Sequence, residues 1–328
     1  MLAKIPILGR LDPLLIGIVV TVGIAALVPA DGVALTAFTW ASKIAIGLLF
    51  FLYGARISPR EALAGLAHWR LHLTILLTTF AVFPLLGMVA KVSTQAILSE
   101  PLYLGLLFVC LLPSTVQSAI ALVSVAKGNV TGAIVSASLS SLLGIFITPA
   151  LVAWTMTSNG MTFSASAVVD IVTMLLLPFL AGQLLRRWIG TWITTHSAPL
   201  KIVDRGSIML VVFVAFSRGM NEGIWSNLTL ARLGVVVGAC LLILLAVLGL
   251  TWVAAPRLGF SAADRVTIMF CGSTKSLATG IPMATVLFPD DTLGLIVLPL
   301  MLFHQMQLLI GAALAAQLAK RTAVPVEV

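Results

Sequence analysis

Two hydroxyl-rich segments interrupt long apolar runs of the chain, and a third apolar run carries a threonine shortly before a proline. Proline cannot donate a backbone hydrogen bond and glycine weakens a helix, so Pro113 and Gly272 predict broken helices. Inside a membrane, free carbonyls at such breaks attract cations and free N–H groups attract anions. The candidate substrate-binding or ion-binding residues are Ser114, Thr115, Gln117, Ser118, Ser273, Thr274, Lys275, Ser276 and Thr79.

Lys275 is the most unusual of these residues. A lysine at the centre of a membrane span costs about 2.5 to 3.5 kcal/mol on insertion scales, and no carboxylate lies in the middle of any predicted span. We expect Lys275 to meet carbonyls, hydroxyls, Gln117, water or a bound anion, or to lose its proton. Because methionine would remove the desolvated charge, we expect Lys275→Met to fold at least as well as the wild type.

The composition requires these residues to lie on membrane-spanning helices. The chain has 328 residues, of which 60% are hydrophobic and 9% charged, and its mean hydropathy is +1.15. A soluble domain is about a quarter charged, so a water-soluble fold is excluded. With about 20 apolar residues per span, the sequence predicts ten helices, at residues 11–29, 35–53, 73–92, 102–126, 130–154, 168–185, 202–216, 233–254, 266–287 and 293–318.

The basic residues indicate the orientation of these spans. If both termini are cytoplasmic, 14 Lys and Arg residues lie in cytoplasmic segments and three on the opposite side, while Lys43 and Lys275 lie within spans. This bias predicts a multi-pass protein with both termini inside, in the plasma membrane or the inner membrane of a bacterium. The cytoplasmic set is Lys4, Arg10, Arg56, Arg60, Arg70, Lys127, Arg186, Arg187, Lys201, Arg205, Arg257, Arg265, Lys320 and Arg321. Scattered in short loops, these residues indicate topology rather than nucleic-acid binding.

The two halves of the chain resemble each other at an offset near 160 residues. Arg56 closes span 2 and Arg218 closes span 7, and the next break follows 58 and 55 residues later, at Ser114 and Ser273. Five spans per copy require the second copy to be inverted, so the predicted repeats are residues 1–160 and 161–328. One break alone is more often a proline kink satisfied by Ser and Thr. Two breaks in register favour a functional site.

Other polar residues within spans have structural interpretations. Lys43 lies nine residues into span 2, from where its long stem can reach an interface. His304 and Gln307 of span 10 are expected to join helices by hydrogen bonds, and Ser140 of span 5 is expected to permit close packing.

The chain resembles the bile acid:sodium symporter family, solute carrier family 10, and within it the divergent member-7 branch. The segments that carry the resemblance are LLFFLYGARIS, HWRLHLTILLTTFAVFPLLG, LLPSTVQSAIALVSVAKGNVTGAIVSASLSSLLGIFITP, FCGSTKSLATGIPMATVLFP and LPLMLFHQMQL. The resemblance implies an all-α membrane fold of two inverted five-helix repeats. Helices 1, 2, 6 and 7 would form a panel and the others a core, with broken helices 4 and 9 crossing.

The resemblance also implies departures at the sodium sites. Aligned on the family motifs, Ser118 falls on a ligand serine and Ala119 on an asparagine. Phe270 falls on the sodium-binding glutamate, while Thr274 and Thr79 fall on glutamines. These departures remove the only carboxylate of the family's sodium sites and put a cation, Lys275, beside the crossing. The Lys275 ammonium would stand in for sodium or carry a proton, and either role favours an anionic substrate.

Two functions follow. The first is secondary transport of a small organic anion by alternating access, with sodium or proton coupling open and no cofactor expected. The alternative is a membrane regulatory protein that affects calcium or ion homeostasis without transporting an organic solute. A membrane enzyme is not expected, since no Ser/His/Asp set or metal-ligand cluster occurs in the sequence. Substrate identity, transport direction and oligomeric state stay open.

Overall fold

A computed structural model describes residues 13–56, 68–157, 169–223 and 228–321. Over these ranges the chain is helical and contains no β-strand. The predicted starts of span 1 at Leu11 and of span 6 at Val168 lie outside the described residues, as do both chain termini. The basic residues Lys4, Arg10 and Arg60 also lie outside them.

Thirteen α-helices and two π-helical turns follow one another in the described ranges. The π turns are Thr78–Val82, between α3 and α4, and Val172–Leu176, directly before α8. The helices are α1 Pro13–Leu27, α2 Gly32–Arg56, α3 Trp69–Leu77, α4 Phe83–Thr94, α5 Glu100–Leu111, α6 Gln117–Val125, α7 Val130–Thr157, α8 Leu177–Thr195, α9 Ser197–Asn221, α10 Leu230–Arg257, α11 Ala262–Ser273, α12 Leu277–Leu287 and α13 Leu293–Arg321.

Six helical segments are long and apolar enough to cross a membrane. They run over Gly32–Arg56, Trp69–Thr94, Val130–Thr155, Val169–Ile193, Leu230–Arg257 and Leu293–Lys320. Each is at least 25 residues long, and at 1.5 Å per residue this exceeds the hydrocarbon thickness of about 30 Å. Two shorter apolar helices cover Ile16–Leu27 and Glu100–Leu111. The all-helical membrane fold is therefore confirmed, and its division into ten spans stays a prediction.

The helices group into two compact units. The first contains the described residues within Met1–Ser58, Pro149–Leu230 and Ala278–Leu298, and the second contains those within Pro59–Thr148, Ala231–Leu277 and Pro299–Val328. Each unit draws on both halves of the chain, so these units differ from the predicted repeats, which stay a prediction.

Different contacts hold each unit together. In the first unit, α2 packs against α8 and α9. A Cβ at Gly54 or Gly182 would overlap a carbonyl oxygen of the facing helix, so glycine is needed for this close approach. In the second unit, α4 packs on α5, and α11 packs on α3 and α6.

Candidate functional site

Both predicted helix breaks are present, and both lie in the second unit. The first break, residues 112–116, separates α5 from α6 and contains Pro113. The second break, residues 274–276, separates α11 from α12. Helix α11 continues through Gly272, so this glycine does not itself end the helix. A Cβ at Gly272 would lie 3.2 Å from the Thr78 methyl carbon, which indicates that this glycine permits close packing instead.

The two breaks are in direct contact. The backbone N–H of Ser276 donates to the Pro113 carbonyl at 2.9 Å. The Ser114 hydroxyl donates to the Cys271 carbonyl at 2.7 Å and lies 3.0 Å from the Thr274 hydroxyl oxygen. The two hydroxyl-rich segments therefore meet, because each break supplies hydrogen-bond partners to the other, whereas their role in binding a solute or ion stays a prediction.

Lys275 is fully buried where the breaks meet. Its Nζ donates to the carbonyls of Thr79 at 3.0 Å, Cys110 at 3.1 Å and Leu112 at 2.7 Å. The same atom lies 4.0 Å from the centroid of the Phe83 ring, a cation–π distance. Of the partners expected from the sequence, Lys275 therefore meets carbonyls. We call these three oxygens the carbonyl cage.

The backbone geometry explains why the Thr79 carbonyl, the first cage oxygen, has no helical donor and is available to Lys275. In the π turn, the N–H of Phe83 donates to the carbonyl of Thr78, five residues earlier. Thr79 would then require the N–H of Pro84, which proline lacks. Its carbonyl is therefore left for Lys275.

The other two cage oxygens are freed by the first break. In a continuous helix, the Cys110 carbonyl would accept from the N–H of Ser114. That N–H instead donates to the Ser140 hydroxyl at 2.9 Å. Leu112 lies within the break, where it has extended backbone angles. An ammonium group replaces the missing helical donors in each case.

A glutamine of α13 caps the second break. The Gln307 carboxamide accepts from the Lys275 backbone N–H at 2.7 Å and donates to the Lys275 carbonyl at 2.8 Å. Its Nε2 also lies 2.9 Å from His304 Nδ1. The expectation that Gln307 joins helices by hydrogen bonds is confirmed, and its partner is backbone that the break would otherwise leave unpaired.

The remaining candidates differ in accessibility. Thr115, Ser273 and Ser276 are buried, whereas Ser118 is half-buried and Gln117 is exposed at the first turn of α6. All of them lie within or beside the breaks. Thr79 contributes its carbonyl to the cage rather than its side chain, because its hydroxyl donates to the Ile75 carbonyl at 2.9 Å.

Sequence reasoning missed several groups that complete the site. Ser140 was expected only to permit close packing, but its hydroxyl accepts from the first break. Thr148 donates to the Leu111 carbonyl at 2.8 Å, again beside that break. The sequence did contain a signal for Ser140 and Thr148, since both are polar residues of span 5, which packs against the proline break. The Cys110 and Leu112 carbonyls gave no signal, since every residue carries a carbonyl.

Comparisons with known proteins match most of the chain. Residues 12–320 match the SBF-like CPA transporter family. The chain is 50% identical over 312 residues to "Uncharacterized protein PA2026" of Pseudomonas aeruginosa, covering 94% of this chain and 93% of the relative. It is 44% identical to "Putative symporter YfeH" of Escherichia coli (strain K12), covering 95% and 94%. It is 31% identical to "Sodium/bile acid cotransporter 7" of Rattus norvegicus, covering 93% and 92%. None of these names implies a cofactor.

Proposed function

The chain belongs to the SBF-like CPA transporter family, and from this premise we propose that it is a secondary transporter of a small organic anion, working by alternating access. Membership makes it a transporter and not an enzyme. The resemblance to the bile acid:sodium symporter family is confirmed at the level of family and branch, through the relatives named as a symporter and as cotransporter 7. We further propose the class of solute, the role of the coupling ion and the mechanism.

We place ten spans in two inverted repeats. Six are the long apolar segments, and α1 and α9 are two more. The last two are the broken pairs, α5 with α6 and α11 with α12. Each pair is separated by only a few residues, and its unpaired backbone groups are satisfied by protein, which is the condition for irregular backbone inside a membrane.

The carbonyl cage is the observation that carries the proposal. Three carbonyl oxygens at 2.7 to 3.1 Å from one ammonium nitrogen form the kind of oxygen shell that a monovalent cation requires. Because Lys275 fills this shell, a sodium ion would have to displace the lysine. We therefore propose that Lys275 is a covalently attached cation that occupies the place of a bound ion, and that transport does not require sodium at this position.

The same arrangement favours an anionic solute. Lys275 brings one positive charge to the breaks, and the N-terminus of α6 adds its partial positive charge and free N–H groups. Gln117 and Ser118 lie in the first turn of α6 and are the most accessible of the candidate residues. We propose that they contact the solute, while Lys275 acts through its field from a buried position.

A ligand screen tests this proposal. Purified protein would be heated with a panel of small carboxylates, sulfonates and sulfate esters, in sodium chloride and in potassium chloride. We expect at least one anion to raise Tm equally in both salts, and to be taken up by proteoliposomes, because ligand binding to the native state stabilises it by mass action. Gln117→Leu should lose both effects. Gln95→Leu, which changes an exposed glutamine far along the chain from the breaks, should keep them.

Two results would overturn the proposal. If no anion of the panel raises Tm in either salt, the proposal that the solute is a small organic anion is wrong. If an anion raises the Tm of the wild type only in sodium chloride, the proposed role of Lys275 as a substitute for sodium is wrong, because sodium must then occupy the carbonyl cage in place of the lysine.

A further inference from the structure

A small cavity lies within the first unit, and none of its lining residues belongs to the helix breaks. Its volume is about 30 Å³, and since about 10 to 15 Å³ admits one water molecule, it admits about two waters or a group the size of a carboxylate. Apolar side chains form much of its wall. Its polar lining residues are Thr39, Ser42, Lys43, Arg218, Thr285 and Asp290.

The charges around this cavity do not balance. Arg218 Nη1 forms an ion pair with Asp290 Oδ2 at 2.9 Å, with the two side chains 26% and 41% exposed. Arg218 Nε is buried and has no hydrogen-bond partner among the residues that the structure describes. Among the described residues, Lys43 forms no ion pair, and its Nζ lies 5.4 Å from the centroid of the Trp40 ring. Two cations and one carboxylate leave one excess positive charge.

The hydroxyls show which groups can donate to a ligand. Ser42 donates to the Thr39 carbonyl and Thr285 donates to the Pro282 carbonyl, each at 2.8 Å. Their hydrogens are therefore already used. The Thr39 hydroxyl likewise donates to the Leu35 carbonyl at 2.8 Å. Among the polar lining residues, the donors left for a ligand are therefore those of Lys43 and Arg218, both of which favour anions.

We propose that this cavity binds a small anion, with a carboxylate group held between Lys43 and Arg218. Asp290 competes with the anion for Arg218, so the ion pair keeps affinity low and makes binding reversible. This assignment replaces the view that Lys43 only extends towards an interface. The site goes beyond the proposed transport site, because it uses other residues of a different unit and requires neither the helix breaks nor the carbonyl cage.

Acetate is the probe. Saturation-transfer difference NMR on the full-length protein in detergent would follow the acetate methyl signal during a titration at constant ionic strength. We expect saturable binding to the wild type. Lys43→Met and Arg218→Met should each weaken it by about tenfold, the loss expected for one charge-assisted hydrogen bond. Lys201→Met removes a lysine of the same unit that does not line the cavity and should leave binding unchanged.

Asp290→Asn is the decisive variant, because the proposal predicts the direction in which its affinity for acetate changes. Removing the competing carboxylate frees the guanidinium, so acetate should bind more tightly than to the wild type. The proposal is overturned if neither the wild type nor Asp290→Asn shows saturable binding, or if Lys43→Met and Arg218→Met bind acetate as the wild type does. The Tm and uptake screen tests the transport site, whereas the acetate titrations of the Lys43, Arg218 and Asp290 variants test this site, so failure of one and failure of the other give different patterns.

Discussion

At the scale of single residues, Lys275 is unfavourable to bury, yet its hydrogen bonds stabilise the fold. Burial of its ammonium is unfavourable, yet its three hydrogen bonds satisfy carbonyls that a π turn, a proline and a redirected N–H have left without helical donors. Removing one partner of a buried hydrogen bond costs more than the bond contributes, because the other partner stays desolvated. The lysine and the breaks therefore depend on each other.

The first prediction is that Lys275→Met destabilises the protein, which is the opposite of the expectation from the sequence. Relief of desolvation returns about 2.5 to 3.5 kcal/mol, whereas three unsatisfied carbonyls cost about 1 to 3 kcal/mol each. We therefore expect Lys275→Met to lower the Tm of purified protein, with Lys275→Arg less affected because it keeps donors and charge. Lys43→Met removes a lysine that forms no ion pair with any described residue and should leave Tm nearly unchanged. A Lys275→Met protein as stable as the wild type would contradict the structural part of this role.

The second prediction concerns two glutamines of α13. Gln307 makes hydrogen bonds to both the N–H and the carbonyl of Lys275, whereas both amide atoms of Gln305 are buried without a hydrogen-bond partner in the described part of the chain. Gln307→Met should therefore lower the stability by about 2 to 4 kcal/mol, since two backbone groups lose their partner. Gln305→Met should be neutral or stabilising. Tm measurements on both variants check this, and equal losses would show that Gln307 is not a cap.

At the scale of helices, each break is held by the elements that pack on it. Helix α7 supplies the hydroxyls of Ser140 and Thr148 to the first break. It also comes so close to Pro113 that Gly144 has no room for a side chain. Helix α13 supplies Gln307 to the second break.

The third prediction tests that close approach of α7. A Cβ at Gly144 would lie 2.6 Å from Pro113 Cβ, whereas a Cβ at Gly249 of α10 has nothing within 4 Å. Gly144→Ala should lower stability by about 1 to 3 kcal/mol through overpacking. Gly249→Ala should be neutral or raise it by up to about 1 kcal/mol, because alanine is the better helix former. Thermal unfolding of both proteins provides the comparison. A stable Gly144→Ala protein would mean that α7 can move away from the break.

Helix positions were largely predictable because they follow from apolar length. The span predicted at residues 130–154 is observed as Val130–Thr157. The span predicted at 202–216 is longer, Ser197–Asn221. The predicted span lay between Lys201 and Arg218, whose charges bounded the apolar run, but backbone hydrogen bonds continue regardless of side-chain polarity. Within the site, Lys275 and the hydroxyls were predictable from their types. The cage was not, since its oxygens belong to backbone whose hydrogen bonds depend on tertiary packing.

At the scale of the whole molecule, span counting depends on how the broken helices are treated. By length alone, neither α5 with α6 nor α11 with α12 is among the six candidate spans. In a six-span protein, the segments between Thr94 and Val130 and between Arg257 and Leu293 would each begin and end on one side of the membrane. In a ten-span protein, each of these segments crosses it.

The fourth prediction uses this difference through single cysteines. Gln95, Lys127, Leu258 and Asp291 are exposed residues at the two ends of the two segments. The native cysteines Cys110, Cys240 and Cys271 are buried, and replacing them by alanine removes remaining background. Intact cells treated with a membrane-impermeant maleimide should label Gln95→Cys and Asp291→Cys. Lys127→Cys and Leu258→Cys should be labelled only after the cells are opened, because the excess of basic residues places that side in the cytoplasm. If Gln95→Cys and Lys127→Cys label from the same side, the first broken pair does not cross the membrane, and the proposed inverted repeat fails with it.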